Sequence, residues 1–236
     1  MLRKFGLMEC NSVNNPIAPT VKIDKDPQGN AVDKTLFKQI VGSLMYLTAT
    51  RPDLIFVTSL ISRYMDKPTE MHMQVAKIAL RYVKGTTQLG IHYQRTTEMK
   101  GELMSYTDSD YAGDMDDRRS TSGYVFIFSS GAVAWSSKKQ PIVTLSTTEA
   151  EFVAVAFCTC QAIWMKRVLE DLGYNKLNCI GIKCDNSSTI KLSKNPVMHG
   201  RSKHIDIADI MTKPLKLETF QRLRIMLGLK NITELN

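Results

Sequence analysis

The 236-residue sequence predicts a mixed α/β sheet with flanking helices, preceded by a small helical segment. Three observations carry this. Over residues 35–85 apolar side chains recur at helical spacing. From residue 101 the period shortens to that of strands. A hairpin and one long helix then separate two strand-like runs, each ending in an aspartate.

Residues 1–34 read as extended, because Asn14, Asn15, Pro16, Pro19, Pro27 and Gly29 break any periodicity. Phe37, Ile40, Val41, Leu44 and Leu47 then share one helix face. A second helix starts at Pro52, whose missing N–H costs nothing in a first turn, and buries Leu54, Val57, Leu60, Ile61 and Tyr64. Lys67-Pro68 ends it. Thr69 caps a third helix, with Val75, Ile78, Ala79, Tyr82 and Val83 inward and Gly85 as its stop. Lys77, Arg81 and Lys84 line another side of that helix, as a solvated face or as a row of phosphate contacts. Residues 86–100 read as a link.

Residues 103–108 read as a strand and residues 114–119 as a charged loop. Residues 124–128 and 132–136 form a hairpin around Ser129-Ser130-Gly131. Ser146 or Thr147 caps a long helix with Glu149 or Glu151 near its first turn, closed by Gly173. Another strand covers residues 179–185, a short helix starts at Ser187, and a final helix covers residues 217–227.

The net charge of +8 and pI of about 9.2 fit a nucleic-acid partner, as they also fit an ordinary basic protein. Five irregularly spaced cysteines argue against a disulfide framework. Cys158 and Cys160, two apart in a helix, face away from each other. A zinc site joining Cys184 to His199 and His204 matches no strong spacing pattern. Neither a signal peptide nor a membrane span is visible. The expected setting is intracellular, cytoplasmic or nuclear, without secretion and without a membrane partner.

The chemistry lies in the carboxylates. Asp108 ends the first strand and Asp185 ends the strand after the long helix. If those strands pair in parallel, their carboxyl ends lie side by side, where open α/β sheets bind ligands. The long helix then delivers Glu151, and Asp209 adds a fourth oxygen donor. Such a cluster repels itself unless a cation offsets it, and oxygen donors suit Mg²⁺ or Mn²⁺. Taken singly, a strand-end aspartate is a turn former. Asp110, Asp114, Asp116 and Asp117 read as solvated loop charges, and Glu149 as a helix N-terminal charge.

The runs Asp108-Ser109-Asp110-Tyr111-Ala112-Gly113-Asp114, Arg119-Ser120-Thr121-Ser122-Gly123-Tyr124-Val125-Phe126, Trp135-Ser136-Ser137-Lys138-Lys139-Gln140 and Ser146-Thr147-Thr148-Glu149-Ala150-Glu151-Phe152 resemble the ribonuclease H domain of copia-type retrotransposon Pol polyproteins. So do Cys184-Asp185-Asn186, Lys203-His204-Ile205-Asp206 and Ala208-Asp209-Ile210-Met211-Thr212-Lys213-Pro214-Leu215. Thr50-Arg51-Pro52-Asp53 and Leu80-Arg81-Tyr82-Val83-Lys84-Gly85-Thr86 resemble the segment joining the reverse transcriptase to that domain. The resemblance implies a helical reverse-transcriptase C-terminal segment over residues 1–95 and a ribonuclease H-like domain over residues 99–229. It implies cleavage of the RNA strand of an RNA–DNA hybrid with Mg²⁺ or Mn²⁺. The metal-binding catalytic residues would be Asp108, Glu151, Asp185 and Asp209. Arg118, Arg119, Lys138, Lys139, Lys77, Arg81 and Lys84 are the candidate nucleic-acid contacts.

Two departures shape the expectation. No paired polymerase aspartates are present, so a polymerase would be supplied elsewhere. Only Ile207 separates Asp206 from Ala208, where the family places a helix and the sheet's last edge strand. An αβ unit needs about ten or more residues for its crossover alone. The sheet is therefore expected to lack that strand, Asp209 to miss the site, and cleavage to be impaired. The alternatives are a non-catalytic nucleic-acid-binding remnant and a host interaction protein built from element sequence.

Overall fold

The computed structural model describes residues 1–94, 103–174, 180–194 and 207–234. Three helices come first: α1 (Lys34–Leu47), α2 (Ile55–Ser62) and α3 (Glu70–Gly85). Asp33 caps α1, its carboxylate accepting from the backbone N–H groups of Thr35 and Leu36. Thr69 caps α3 as expected from the sequence, and the His72 ring completes the box by accepting from the Thr69 N–H at 2.9 Å. A 3-10 turn, Pro52–Leu54, leads into α2.

The link after α3 contains a strand that the sequence reading missed. β1 (Leu89–Ile91) pairs antiparallel with β6 (Leu229–Asn231) near the other end of the chain. Three residues with a glycine in the middle give no readable alternation. The main sheet comprises β2 (Leu103–Ser109), β3 (Thr121–Phe128), β4 (Gly131–Lys139) and β5 (Gly181–Lys183). Its order is β4-β3-β2-β5, antiparallel through β4, β3 and β2, and parallel between β2 and β5. This is a mixed α/β fold with a mixed sheet. Among the described residues β5 is an outer strand, with Gly181 and Lys183 exposed.

Helix α4 (Thr147–Asp171) lies along one sheet face. Cys158 and Ala162 pack there against Leu103 and Phe126. Ser146 caps it, accepting from the Glu149 N–H at 3.1 Å. Gly173, at φ +86°, donates to the Glu170 carbonyl, and Tyr174 donates to Leu169; the left-handed conformation is why glycine stands there. By length and composition α4 could cross a bilayer, but it is packed on the sheet and its inner stripe includes Glu151. Cys158 is buried and Cys160 exposed, so the two thiols diverge as the spacing required. Helix α5 (Ser187–Lys194) follows β5, and α6 (Leu217–Met226) precedes β6.

The opposite sheet face carries the main core. Val125 and Ala132 meet Phe37, Leu44, Leu54 and Ala79 of the helical segment, together with Ile207, Met211, Phe220 and Leu223. Residues before position 95 and after position 206 thus share one apolar interior. A buried polar network strengthens the union. Arg51 is bidentate to Asp53 (2.9 and 2.7 Å) and donates to the Thr86 carbonyl at 3.0 Å. The Tyr82 hydroxyl donates to Asp53 at 2.5 Å and accepts from Arg224 of α6 at 2.9 Å. Arg51, Asp53 and Tyr82 are each paired, as a buried ion pair requires, while Arg224 joins through one nitrogen and leaves its buried Nε without a partner. Two N-terminal motifs, around Arg51 and around Tyr82, therefore meet in one structural network.

Candidate metal centre

Asp108 sits near the carboxyl end of β2, and β5, its parallel neighbour, runs into Cys184 and Asp185. Glu151 comes from the second turn of α4 and is buried. Its Oε1 accepts from the Ser109 N–H at 3.3 Å, and the Cys184 thiol donates to its Oε2 at 3.6 Å. Ligand atoms of Glu151, Cys184 and Asp185 lie within 4.8 Å of one another.

Asp209 lies beside Asp108 and Asp185, contrary to the expectation that it misses the site; the connection before it lies outside the described residues. Asp209 stands in a 3-10 turn, Ile207–Met211, whose Ile207, Ala208, Ile210 and Met211 are all buried. That turn rests on β3 at Gly123, directly opposite Asp108 in the sheet register. A Cβ at Gly123 would lie 2.5 Å from Met211 Cβ and 2.7 Å from Thr212 Cγ2. Glycine is needed there for close approach, and the approach brings Thr212 and Lys213 onto Asp108. The buried Thr212 hydroxyl donates to Asp108 Oδ2, and the Lys213 ammonium stands 3.3 Å from the same oxygen. The same ammonium is 2.8 Å from Asp209 Oδ1.

Electrostatics reflect this crowding. Burial raises the Asp185 carboxyl above its ordinary range, with the Asp108 charge adding and Lys213 opposing. Burial and the Asp108 charge raise Asp209 in the same way. Lys213 is held well above the ordinary lysine value, the carboxylates of Asp108 and Asp209 outweighing its own burial. Glu151 and Asp185 thus share one group with Cys184, while Asp108 and Asp209 meet at Lys213 and act electrostatically on Asp185, and like charges so placed favour a cation.

The sequence reading did not single out Thr212, Lys213, Gln140 or Gly123, although all stand in the motifs it compared. Gln140 is buried beside the site. Its Nε2 donates to Ser122 Oγ at 2.7 Å, to the Ala150 carbonyl at 2.9 Å and to Ser109 Oγ at 3.2 Å. It ties β2, β3 and the first turn of α4 together next to Glu151. Asp114 is another correction. It is a buried ion-pair centre rather than a solvated loop charge, 3.1 Å from Arg63 and 2.7 Å from Lys139. Burial opposes its ionisation, but the Lys139 bond and the backbone N–H groups of Asp116 and Asp117 prevail and bring it down to about 2.

The candidate nucleic-acid contacts separate into two groups. Lys139 binds Asp114 and Asp117, Arg119 lies 3.6 Å from Asp117, Arg81 donates to the Asn11 carbonyl and Lys84 to the Cys10 carbonyl. Lys138, Arg118 and Lys77 are exposed. His199 and His204, considered with Cys184 for zinc, lie outside the described residues.

Comparison with known proteins places this architecture. The chain is 39% identical over 215 residues to a retrovirus-related Pol polyprotein from transposon TNT 1-94 of Nicotiana tabacum, covering 88% of this chain and 16% of that protein. It is 34% identical to the Pol polyprotein from transposon RE1 of Arabidopsis thaliana, covering 98% of this chain and 17% of that protein. A shorter relative, a secreted RxLR effector protein of Plasmopara viticola, is 43% identical over 126 residues, 53% of this chain and 87% of the relative. No protein-family model and no solved structure matches. The chain belongs to the copia-type retrotransposon Pol polyproteins and corresponds to a fragment of one. The RE1 alignment runs over 257 positions, more than the whole 236-residue chain, so the relative carries residues that are missing here.

Proposed function

We propose that this retrotransposon-derived chain is a ribonuclease H-type module that hydrolyses the RNA strand of RNA–DNA hybrids, with reduced efficiency. The observation that carries the reading is the convergence of Asp108, Glu151, Asp185 and Asp209 where two parallel strands end side by side. The donor set is mainly carboxylate oxygen, which fits Mg²⁺ or Mn²⁺. Asp108, Glu151, Asp185 and Asp209 would hold the ions. When bound, they would activate a water and stabilise the leaving oxygen of a phosphodiester.

The chain's own residues supply the positioning. Thr212 and Lys213 fix one oxygen of Asp108, the Ser109 N–H fixes Glu151, and Gln140 locks the strands to the helix that carries Glu151. Lys138 and Arg118 offer exposed cations to the hybrid backbone. Choosing RNA within the hybrid rests on its 2′-hydroxyls and duplex shape. Reduced efficiency follows from the short pairing of β5, three residues long on the outer side of the described sheet, and from the residues missing relative to RE1. A reverse-transcriptase polymerase domain is the proposed protein partner. The missing residues equally favour a second reading, a nucleic-acid-binding remnant without catalysis.

Cleavage of a labelled RNA–DNA hybrid by the purified chain separates the two. Weak Mg²⁺-dependent cleavage that disappears in Asp108→Asn is expected. Cleavage unaffected by Asp108→Asn belongs to a contaminant, and hybrid binding with no metal-dependent cleavage establishes the remnant.

A further inference from the structure

Helix α4 carries a second apolar face that the sheet does not use. Its inner stripe of Ala150, Ala154, Cys158 and Ala162 is buried at intervals of four. On the outside Phe152, Phe157, Ile163 and Trp164 are 44, 41, 50 and 56% exposed. Exposed Ala156 and Cys160 lie between them. At about 3.6 residues per turn these six residues fall within about half of the helix circumference, opposite the buried stripe. The large side chains form two ridges along a central line of small ones, a shape that admits another helix at close range. Helix α5 is tied to a flank of α4, the Thr189 hydroxyl donating to the Thr148 carbonyl at 3.0 Å. At about 200 Å² per aromatic side chain, the exposed fractions amount to on the order of 400 Å² of apolar surface. Leu145 and Leu172, exposed just beyond the two ends of the helix, extend it. A patch of this size on a monomer marks a contact surface.

We propose that this face joins two copies of the chain, with their α4 helices packed side by side and antiparallel. The order of residues along the face selects a second copy as its occupant. Its midpoint lies between Phe157 and Cys160, so an antiparallel copy sets Phe157 against Cys160, Val153 against Trp164 and Leu145 against Leu172. Glu149 and the exposed Arg167 lie on the central line at the two ends of the apolar stretch. They are about five turns, roughly 27 Å, apart. In the antiparallel pair each Glu149 meets the copy's Arg167, whereas a parallel pair sets like charges together. Asp171 then approaches the N-terminus of the copy's helix, where the dipole favours an anion. Two faces of about 400 Å², with the polar rim that surrounds such contacts, clear the roughly 1,000 Å² that a specific interface needs. A bilayer fits this face less well. Glu149, Glu170 and Asp171 rim it with acids, where a helix lying on a membrane carries lysine and arginine. Glu151 is buried on the sheet side of α4, so the carboxylate cluster stays clear of the joint.

Sedimentation equilibrium of the full chain at micromolar concentrations is the test. The wild type is expected to be a dimer in equilibrium with monomer. A short bis-maleimide should link Cys160 to the copy's Cys160, identified by mass spectrometry. Trp164→Glu should weaken association at least about thirtyfold. Circular dichroism checks its folding, and Phe157→Lys takes its place if it unfolds. Arg167→Glu should weaken association by setting acid against Glu149, and adding Glu149→Lys should restore it. A monomer throughout, or association unchanged in a folded Trp164→Glu or Phe157→Lys chain, overturns the proposal. Association indifferent to Arg167→Glu overturns the antiparallel arrangement. Wild-type binding to anionic phospholipid vesicles in place of self-association gives the face to a bilayer and overturns the proposal as well.

Discussion

Asp110 lies beside the carboxylate cluster without belonging to it. Burial raises its carboxyl from 3.8 to about 6, against the opposing pull of the Thr121 N–H and Arg63. A folded-state value above the unfolded one means that the native protein binds the proton more tightly. The stabilisation is present in full below about pH 4 and is lost as pH rises through about 6. The shift corresponds to on the order of 1–3 kcal/mol. Asp185 and Asp209 shift in the same direction and add to this loss. Asp114, held at about 2, matters only in stronger acid. Asp110→Asn retains the oxygen that accepts from Thr121, so it should stabilise the fold at pH 7.5 and leave it little changed at pH 4. Denaturant unfolding at both pH values decides this; equal gains at the two would assign the effect to something other than the carboxyl charge.

At this scale the sequence was informative about the clustered carboxylates and silent about their supports. Asp108, Glu151 and Asp185 could be read because each ends a strand or opens a helix with a clear period. Thr212, Lys213 and Gln140 act through distances that only the folded chain creates. The buried charge of Asp114 was equally hidden, since its partner Arg63 comes from 51 residues away.

Among the elements, the Ile207–Met211 turn decides whether the fourth carboxylate arrives. It is too short for a readable period, and its placement depends on a single glycine in the facing strand. Gly123→Ala should push the new Cβ against Met211 and its backbone carbon, 3.2 Å away, as well as against Thr212. Overpacking of this kind costs about 1–3 kcal/mol. The turn should lift and loosen Asp209 and Lys213 together. Thermal unfolding combined with hydrogen exchange over residues 207–215 checks the outcome. A variant with wild-type stability and unchanged protection in that segment would show that the close approach carries no weight. The long helix and the hairpin were legible, because each spans enough residues to show its period or its cap; the parallel pairing of β2 with β5, a condition in the sequence reading, is observed although β5 is only three residues long. β1 and β6 were not legible, because three residues pair only through their long-range partner.

For the whole molecule, the basic surface has to be divided between architecture and binding. Lys139 is spent on Asp114 and Asp117, whereas Lys138 is exposed and in register with Ser122, which is in turn opposite Ser109. Two strand spacings put Lys138 about 10 Å from the end of β2. Lys138→Ala should weaken hybrid binding and reduce the steepness of its salt dependence by about one counterion, with stability unchanged. Lys139→Ala should instead lower stability by leaving Asp114 partly unpaired. Titrations against salt with both variants test the division, and an unaltered slope for Lys138→Ala would make that residue a solubilising charge.

The central claim is that four carboxylates distant in sequence form one divalent-ion site. Its most direct measurement is thermal unfolding of the metal-free chain with and without Mg²⁺. Binding to the native state alone stabilises by about 2.7 kcal/mol at a hundredfold excess over Kd. The wild type is predicted to shift upward with Mg²⁺, and Asp185→Asn to lose most of that shift while remaining folded. Equal shifts in the two proteins, or no shift in the wild type at millimolar Mg²⁺, would contradict the account.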